Sequence, residues 1–563
     1  MKNVFIAVGG SGAKVAEALV RLLAVGFPTR KENGIYTSHG DSLQIWRIDP
    51  DRSSGAAVSL QTSIKEYEQL LSHLGNGGGT GGNSVGSRWA MEIEPKVRHL
   101  DPLQLPQASA ADNEIKTLRG ILDSRYGGKK SSNPLLEPFY TEHDLNVKID
   151  RGFYQKPFIG APIMAIFADS LNDENSPGGR EAGLTAFNNN QVNFFLCGSL
   201  HGGTGACGVP VMGQFLGERK RKNPHWGWRI GACLLSPYSV PPQPPFNAVK
   251  EGTVVSPEDI NALLNRHSND PAFRELTIEE KKDLVRQILL GFYADPDDME
   301  ARARQGLTYY KAHSAHYFDE LYLVGKPEPD KLKVWSNGGS SQRNPLNSAE
   351  VVAAIAALNY FSGSGSGSPQ SYIIGASNAD MQSERMELSD LPKYRVNGAD
   401  EIDPEKAFLS TALLHHLVMH QIPWNVRAVN WDSTIAGLRD QYRNNESKKE
   451  DDMSFYTRIT EMLANNIGAL VEPAQAIGWS GSDLAGLRNY LSSDEGTVRE
   501  ITAKMAKKFL SSEAREMLTL GQSTIKVSTI EFGKWTPPSD QFTRGEYLRY
   551  VWSHLYERAQ DRK

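Results

Sequence analysis

The densest concentration of chemistry-bearing residues lies in NFFLCGSLHGGTGACGVPVMGQFLGE, residues 193–218. Gly198, Gly202, Gly203, Gly205 and Gly208 put five glycines in eleven residues around Thr204. Glycine in a short connection serves where the backbone needs positive φ, or where another group must come close to the main chain. The apolar run ahead of the turn reads as a strand, and the segment after it as a helix from about Val209 to Arg221. A strand, a glycine turn and a helix in that order leave free N–H groups at the positive end of the helix dipole, which is a cradle for an anion. A tight packing connection is the alternative reading for an isolated glycine pair. The density of glycine here favours a ligand loop.

Two more turns of this kind occur. NVFIAV (3–8) reads as a buried strand and runs into Gly9, Gly10, Ser11 and Gly12. GNGGGTGGNSVGSRWA (75–90) carries Gly78, Gly79, Thr80 and Gly81. A second strand, LQIWRI (43–48), ends in Asp49-Pro50-Asp51. In an open α/β sheet the ligand crevice lies outside the carboxyl ends of the strands. Three glycine turns and a carboxylate pair near those ends make a nucleotide site the economical account. No GxxxxGK[ST] run exists, and Val15 stands where a dinucleotide fingerprint wants its third small residue. Phosphate charge therefore falls to backbone N–H groups, helix dipoles and a cation.

The elements that position these turns alternate. Strands are expected at 191–198, 228–236 and 318–325, and helices at 13–26, 63–74 and 348–361, the last with Asn347/Ser348 and Glu350 as a cap. This pattern predicts an α/β fold: a Rossmann-like, mostly parallel sheet with helices on both faces, followed by a helix-rich C-terminal region. The nucleotide domain is expected over 1–361, with insertions or surface loops at about 98–190 and 239–306. A connector follows at 362–402, and the helical domain at 403–563.

Composition bounds the function. The 563 residues are 39% hydrophobic and 23% charged, with a net charge of −5. No chain-wide basic field argues for nucleic acid. No apolar stretch reaches the ~18 residues of a membrane span, and the N-terminal run reads as a strand rather than a leader. Cys197, Cys207 and Cys233 are too few for a disulfide framework, so a reducing, cytoplasmic setting is expected.

The loop GGTGACGVPVM resembles the signature loop of the tubulin/FtsZ superfamily, Gly-Gly-Gly-Thr-Gly-Ser/Thr-Gly. Gly202, Gly203, Thr204, Gly205 and Ala206 overlay that pattern, and Pro210 falls where FtsZ has its proline. His201 replaces the first signature glycine and Cys207 the last. Gly9 to Gly12 resemble the family's first phosphate loop. RIDPD resembles the loop after its second strand, with Asp49 and Asp51 near the Asn and Asp positions. The 75–90 turn resembles the loop that senses the γ-phosphate, LLSPY with Pro237 the ribose-side loop, and NPLNSAEVVAAIAAL the helix that reads the guanine. The order along the chain is also the family's order, over roughly residues 1–380.

The resemblance implies GTP/GDP and Mg2+ as cofactors, with Asn344 or Asn347 facing the base. It also implies self-assembly into filaments, in which an acidic loop of the next subunit activates water. Asn378, Asp380 and Glu384 match that loop, one residue too long, and make Asp380 and Glu384 the catalytic candidates. The C-terminal helices offer a surface for other proteins. The competing reading is a non-polymerising GTP-dependent sensor or interaction module. A dinucleotide-dependent enzyme is a third. His416 and His420, four apart on a predicted helix, have metal-ligand spacing but no third ligand, and read as packing.

Overall fold

A computed structural model of the protein describes residues 2–38, 40–75, 89–103, 117–126, 138–146, 149, 152–153, 156–240, 299–313, 315–325, 330–331, 344–363, 370–375, 391–416 and single positions within 462–470 and 548–557. Its centre is one eight-stranded sheet in which every pairing is parallel. Six strands are long: β1 (Lys2–Val8), β2 (Ser42–Ile48), β5 (Val192–Ser199), β6 (Trp228–Leu235), β7 (Glu320–Gly325) and β8 (Gln370–Gly375). Two short ones, β3 (Glu92–Ile93) and β4 (Arg98–Leu100), pair with the two ends of β2. The spatial order is β8-β7-β6-β5-β1-β2-β3.

The strands read as unbroken apolar runs because both faces are covered. Successive side chains nevertheless go to different cores. Phe5 and Ala7 of β1 join Phe195 and Cys197 of β5 on one face, under α1 (Gly9–Ala24), α2 (Gly55–Gly75) and α6 (Ser348–Ser362). Val4, Ile6 and Val8 join Phe194 and Leu196 on the other, under α3 (Pro157–Ser170) and α4 (Gly203–Lys222). The expected α/β class and the helices on both faces are therefore present.

The expected helix and strand positions hold for the sheet, with shifts at the ends. α1 begins at Gly9 and α4 at Gly203, each several residues before the apolar periodicity starts. The stretch 98–190, expected as an insertion or surface loops, carries β4 and the helix α3 that closes the second core. Gly160, Pro162 and an apolar surface on all sides hide its period in the sequence. Most of the insertion expected at about 239–306, residues 241–298, lies outside the described residues.

In the C-terminal region, α7 (Pro404–His416) and the described positions of 548–557 close onto the far end of α1. Arg549 is buried, donates to the carbonyls of Gly26 and Tyr36, and sits over the rings of Trp552 and Trp89. Trp552 donates to Thr411 Oγ1, which donates in turn to the Val25 carbonyl at 2.6 Å. Leu414, Leu463, Leu470, Leu548, Trp552 and Tyr556 share one apolar core with α1. Among the described residues no helix is long and apolar enough to cross a membrane.

Register brings the carboxyl ends of the strands level. Val8 pairs with Ile48 on one side, and Ala7 with Cys197 on the other. α1 leans directly on this edge: a Cβ on Gly12 would stand 2.5 Å from the Cys197 carbonyl oxygen and 2.9 Å from the Ala7 carbonyl carbon. A Cβ on Gly10 would meet nothing within 4 Å. Gly12→Ala is therefore expected to destabilise by about 1–3 kcal/mol through overpacking. Gly10→Ala should be neutral or stabilising by up to about 1 kcal/mol. Urea unfolding of the two variants checks this; equal effects would contradict it.

Candidate functional site

The neighbours β1 and β5 send their following helices to opposite faces, α1 to one and α4 to the other. A crevice opens at such a switch point, and both helices start there. Gly9 takes φ +74°, which turns the chain from strand to helix with no intervening residue. A Cβ on Gly9 would lie 3.3 Å from the Gly205 nitrogen and 3.3 Å from Thr204 Cβ, so the two turns are in contact. The N-caps are Val8 and Gly202, and neither supplies a side-chain cap. The leading N–H groups of both helices, on Gly9, Gly10, Ser11 and Gly12 and on Gly203, Thr204, Gly205 and Ala206, thus lack the side-chain acceptor that most helix starts carry.

The sequence singled out these residues as a loop, and the structure makes them first helical turns. Much of the glycine serves packing rather than ligand approach. Gly205 passes so close to β5 that a Cβ would stand 2.7 Å from the Ser199 nitrogen, and a Cβ on Gly208 would stand 2.6 Å from Val8 Cγ1. Cys207, at the position of the last signature glycine, faces the second core and donates from Sγ to the Gly203 carbonyl at 3.1 Å. His201 is buried edge-on against Tyr238, with ring centroids 5.6 Å apart. Burial pushes its pKa down to about 4, so the imidazole is neutral, and its Nδ1 has no hydrogen-bond partner.

The β6 side of the crevice holds a polar network. Pro237 is half-buried and leads into Tyr238. The buried Tyr238 hydroxyl donates to Glu350 Oε1 at 2.8 Å. Glu350 Oε2 accepts from the Asn347 N–H at 2.6 Å and pairs with Lys14 Nζ at 3.1 Å. Lys14 also donates to the Pro345 carbonyl at 2.6 Å. Burial pushes the Glu350 carboxyl up and the Lys14 charge opposes that. Asn347, expected to face a base, is the N-cap of α6 and accepts from the Ala349 N–H at 3.0 Å, in a capping box with Glu350. Asn344 is half-buried three residues earlier.

One strand over, Asp49 and Asp51 follow β2, both buried. Arg47 organises them. Its guanidinium lies 3.3 Å from Asp49 Oδ2 and donates to the Asp51 carbonyl, to Ser54 Oγ at 2.9 Å and to His99 Nδ1 at 3.0 Å. Asp49 Oδ1 accepts from the Asp51 N–H, and Asp51 Oδ1 from the Ser53 N–H. Burial raises the Asp49 pKa to about 6 against the pull of Arg47. Burial and the Arg47 charge lower that of His99 to about 4.

Sequence reasoning passed over Lys14, Arg47, His99 and Tyr238 as functional groups. The available signal was a charge inside an apolar helix or strand, as at Lys14 in GAKVAEALV and Arg47 in QIWRI. Gly78, Gly79, Thr80, Gly81, Asp380 and Glu384 lie outside the described residues, as does His420. Among the described residues no three His, Cys, Asp or Glu side chains gather to hold a metal. No protein-family model, curated protein or solved structure matches the chain.

The Asp49 pKa gives a stability prediction with a definite sign. A carboxyl whose folded pKa is raised from 3.8 to about 6 contributes stability that is complete below the unfolded value. That contribution is lost as pH rises through the folded value. The loss between pH 4 and pH 7 should be about 2 kcal/mol. His99 and His201, with lowered values, act in the opposite direction over the same range. Comparing Asp49→Asn with the unaltered protein isolates the carboxyl. The variant should gain about 2 kcal/mol relative to the parent on going from pH 4 to pH 7, read by urea unfolding at both values. A constant difference between the two proteins would contradict it.

Proposed function

We propose that the protein binds GTP and GDP in the crevice between β1 and β5, and that it hydrolyses GTP in a site completed by the next copy in a filament of the tubulin/FtsZ kind. The observation that carries the nucleotide reading is the pair of helix starts without side-chain caps, α1 and α4, in contact at the switch point. Gly9 to Gly12 and Gly202 to Ala206 hold phosphate oxygens through backbone N–H groups, with the two helix dipoles adding positive potential. Thr204 and Ser11 add hydroxyls. Among the described residues of the network the ammonium, Lys14, is paired with Glu350, which fits a site that binds phosphate by dipoles instead of a lysine.

Mg2+ bound with the nucleotide would supply charge neutralisation for phosphoryl transfer. Asp49 is poorly suited to ligate it, because Arg47 and the Asp51 N–H already engage its carboxylate. Guanine recognition is assigned to Asn344, since Asn347 is used as a helix cap. Asp380 or Glu384 of the neighbouring copy positions the attacking water. Filament formation and the choice of guanine rest on the sequence resemblance alone.

The test is nucleotide turnover over a series of protein concentrations, with light scattering from the same sample and ATP as control. GTP turnover and scattering rising together above a threshold concentration support the filament GTPase. GTP binding with flat, negligible turnover and no scattering contradicts it and leaves the sensor. A variant addresses the phosphate turn itself. Gly10 is exposed, with open space around it. Gly10→Asp should fold normally and place a carboxylate where phosphate sits. GTP affinity is expected to fall at least about tenfold, and unchanged affinity in a fluorescent-nucleotide titration would remove the phosphates from this turn.

A further inference from the structure

His201 is a buried polar side chain that the site as described leaves unused. It is 7% exposed, and its Nδ1 has no hydrogen-bond partner. A polar atom shut away from water in this way destabilises a fold, and native proteins keep few of them. Its placement is specific. Ser199 pairs with Leu235 at the ends of β5 and β6, and the Leu200 N–H donates to the Leu235 carbonyl at 2.8 Å. The two chains therefore leave the sheet side by side, one into Leu200-His201-Gly202 and the other into Ser236-Pro237-Tyr238. After Gly202 the main chain runs into α4, over the second core. The His201 ring goes the other way: it packs edge-on against Tyr238, which belongs to the core under α1 and α6. The imidazole is thus carried from the start of α4 toward the face on which α1 begins, and the first turns of those two helices are in contact.

We propose that the His201 side chain is a phosphate ligand, donating a ring N–H to an oxygen of the bound nucleotide. The proposal rests on the nucleotide reading of the crevice given above, and adds an imidazole to the backbone N–H groups and hydroxyls assigned there. Two independent features meet at this point. α4 opens at Gly202 without a side-chain cap, and the residue directly before it carries the unpartnered nitrogen. An anion at the helix start satisfies both. Burial lowers the His201 pKa to about 4, so the free protein holds a neutral ring with one N–H and one lone pair. With no bond on Nδ1, the nitrogen that carries the proton is left for a ligand to select. A bond to a charged phosphate oxygen is also stronger than one to a neutral acceptor.

Fold and ligand then make opposite demands on this residue. An apolar ring of similar shape removes the unpartnered nitrogen and keeps the edge contact with Tyr238, so it relieves the fold while depriving phosphate of a donor. Affinity is measured by titration with a fluorescent GDP analogue, and by its displacement with pyrophosphate, for the unaltered protein, His201→Phe and His201→Gln. His201→Phe is expected to bind both GDP and pyrophosphate about tenfold more weakly while unfolding at the same or higher urea. His201→Gln keeps an N–H donor and should bind within about threefold of the unaltered protein. Unchanged affinity in His201→Phe, weaker binding together with unfolding at lower urea, or a loss in His201→Gln equal to that in His201→Phe overturns the proposal and leaves the nucleotide reading intact. Failure of the unaltered protein to bind GDP or GTP overturns both.

A second readout uses the unaltered protein. In proton–nitrogen correlation spectra of protein with isotope-labelled histidine, the His201 ring signals are assigned by their loss in His201→Gln. They should move when GDP or pyrophosphate is added. Ring signals that stay in place at saturating ligand contradict the contact.

Discussion

The structure depends on how closely two helix starts approach at the carboxyl edge of β1 and β5. A Cβ on Gly9 would be only 3.3 Å from the next turn, and one on Gly12 or Gly205 would overlap the backbone of β5. Glycine at these positions lets α1 begin directly at the end of β1 and lets the first turn of α4 pack against the end of β5. Both helices then present their leading N–H groups to the same small volume from opposite faces of the sheet. The two apolar cores, one under each helix, hold the approach in place. Packing and potential ligand chemistry are thus one constraint: residues small enough to bring the helices together also bring their leading amides close to one another.

Around that contact the polar groups are arranged at an energetic disadvantage that burial explains. Asp49 and Glu350 are both carboxylates taken out of water, and each is offset by a single basic side chain and by backbone donors. Removing either partner of such a pair leaves an uncompensated buried charge, which is more destabilising than the intact pair is stabilising. Arg47 fixes the 49–54 loop by bonding its carbonyl, hydroxyl and carboxylate groups at once. Lys14 and Glu350 do the same between α1 and α6. The crevice is therefore rimmed by side chains already hydrogen-bonded to one another, a preorganised frame that needs little ordering when a ligand arrives.

Much of the sheet was legible in the sequence, because buried parallel strands are short apolar runs bounded by glycine and proline. NVFIAV, LQIWRI, QVNFFLCG and WRIGACLLS all fall in strands of the central sheet. The starts of α1 and α4 were not legible, since a helix opening on Gly-Gly-Ser-Gly or Gly-Thr-Gly carries no propensity or capping signal. α3 was missed because glycine and proline interrupt an apolar segment with no polar face. At the site, the glycine turns were found from type and spacing, but the partners that lock them were not. Tyr238, Glu350 and Lys14 are 336 residues apart at the extremes, and only the register of the sheet brings them together. Asn347 was legible as a helix cap with Glu350, and the structure shows that cap; the resemblance's alternative, its amide at a base, competes with this use of the side chain.

The central claim is that the paired starts of α1 and α4 hold phosphate. A crystal structure of the protein grown with GDP and Mg2+ tests it most directly. The account predicts the β-phosphate within hydrogen-bond distance of the N–H groups of Gly10 to Gly12 and of Gly203 to Gly205. A nucleotide bound elsewhere, or none bound at saturating GDP, would contradict it.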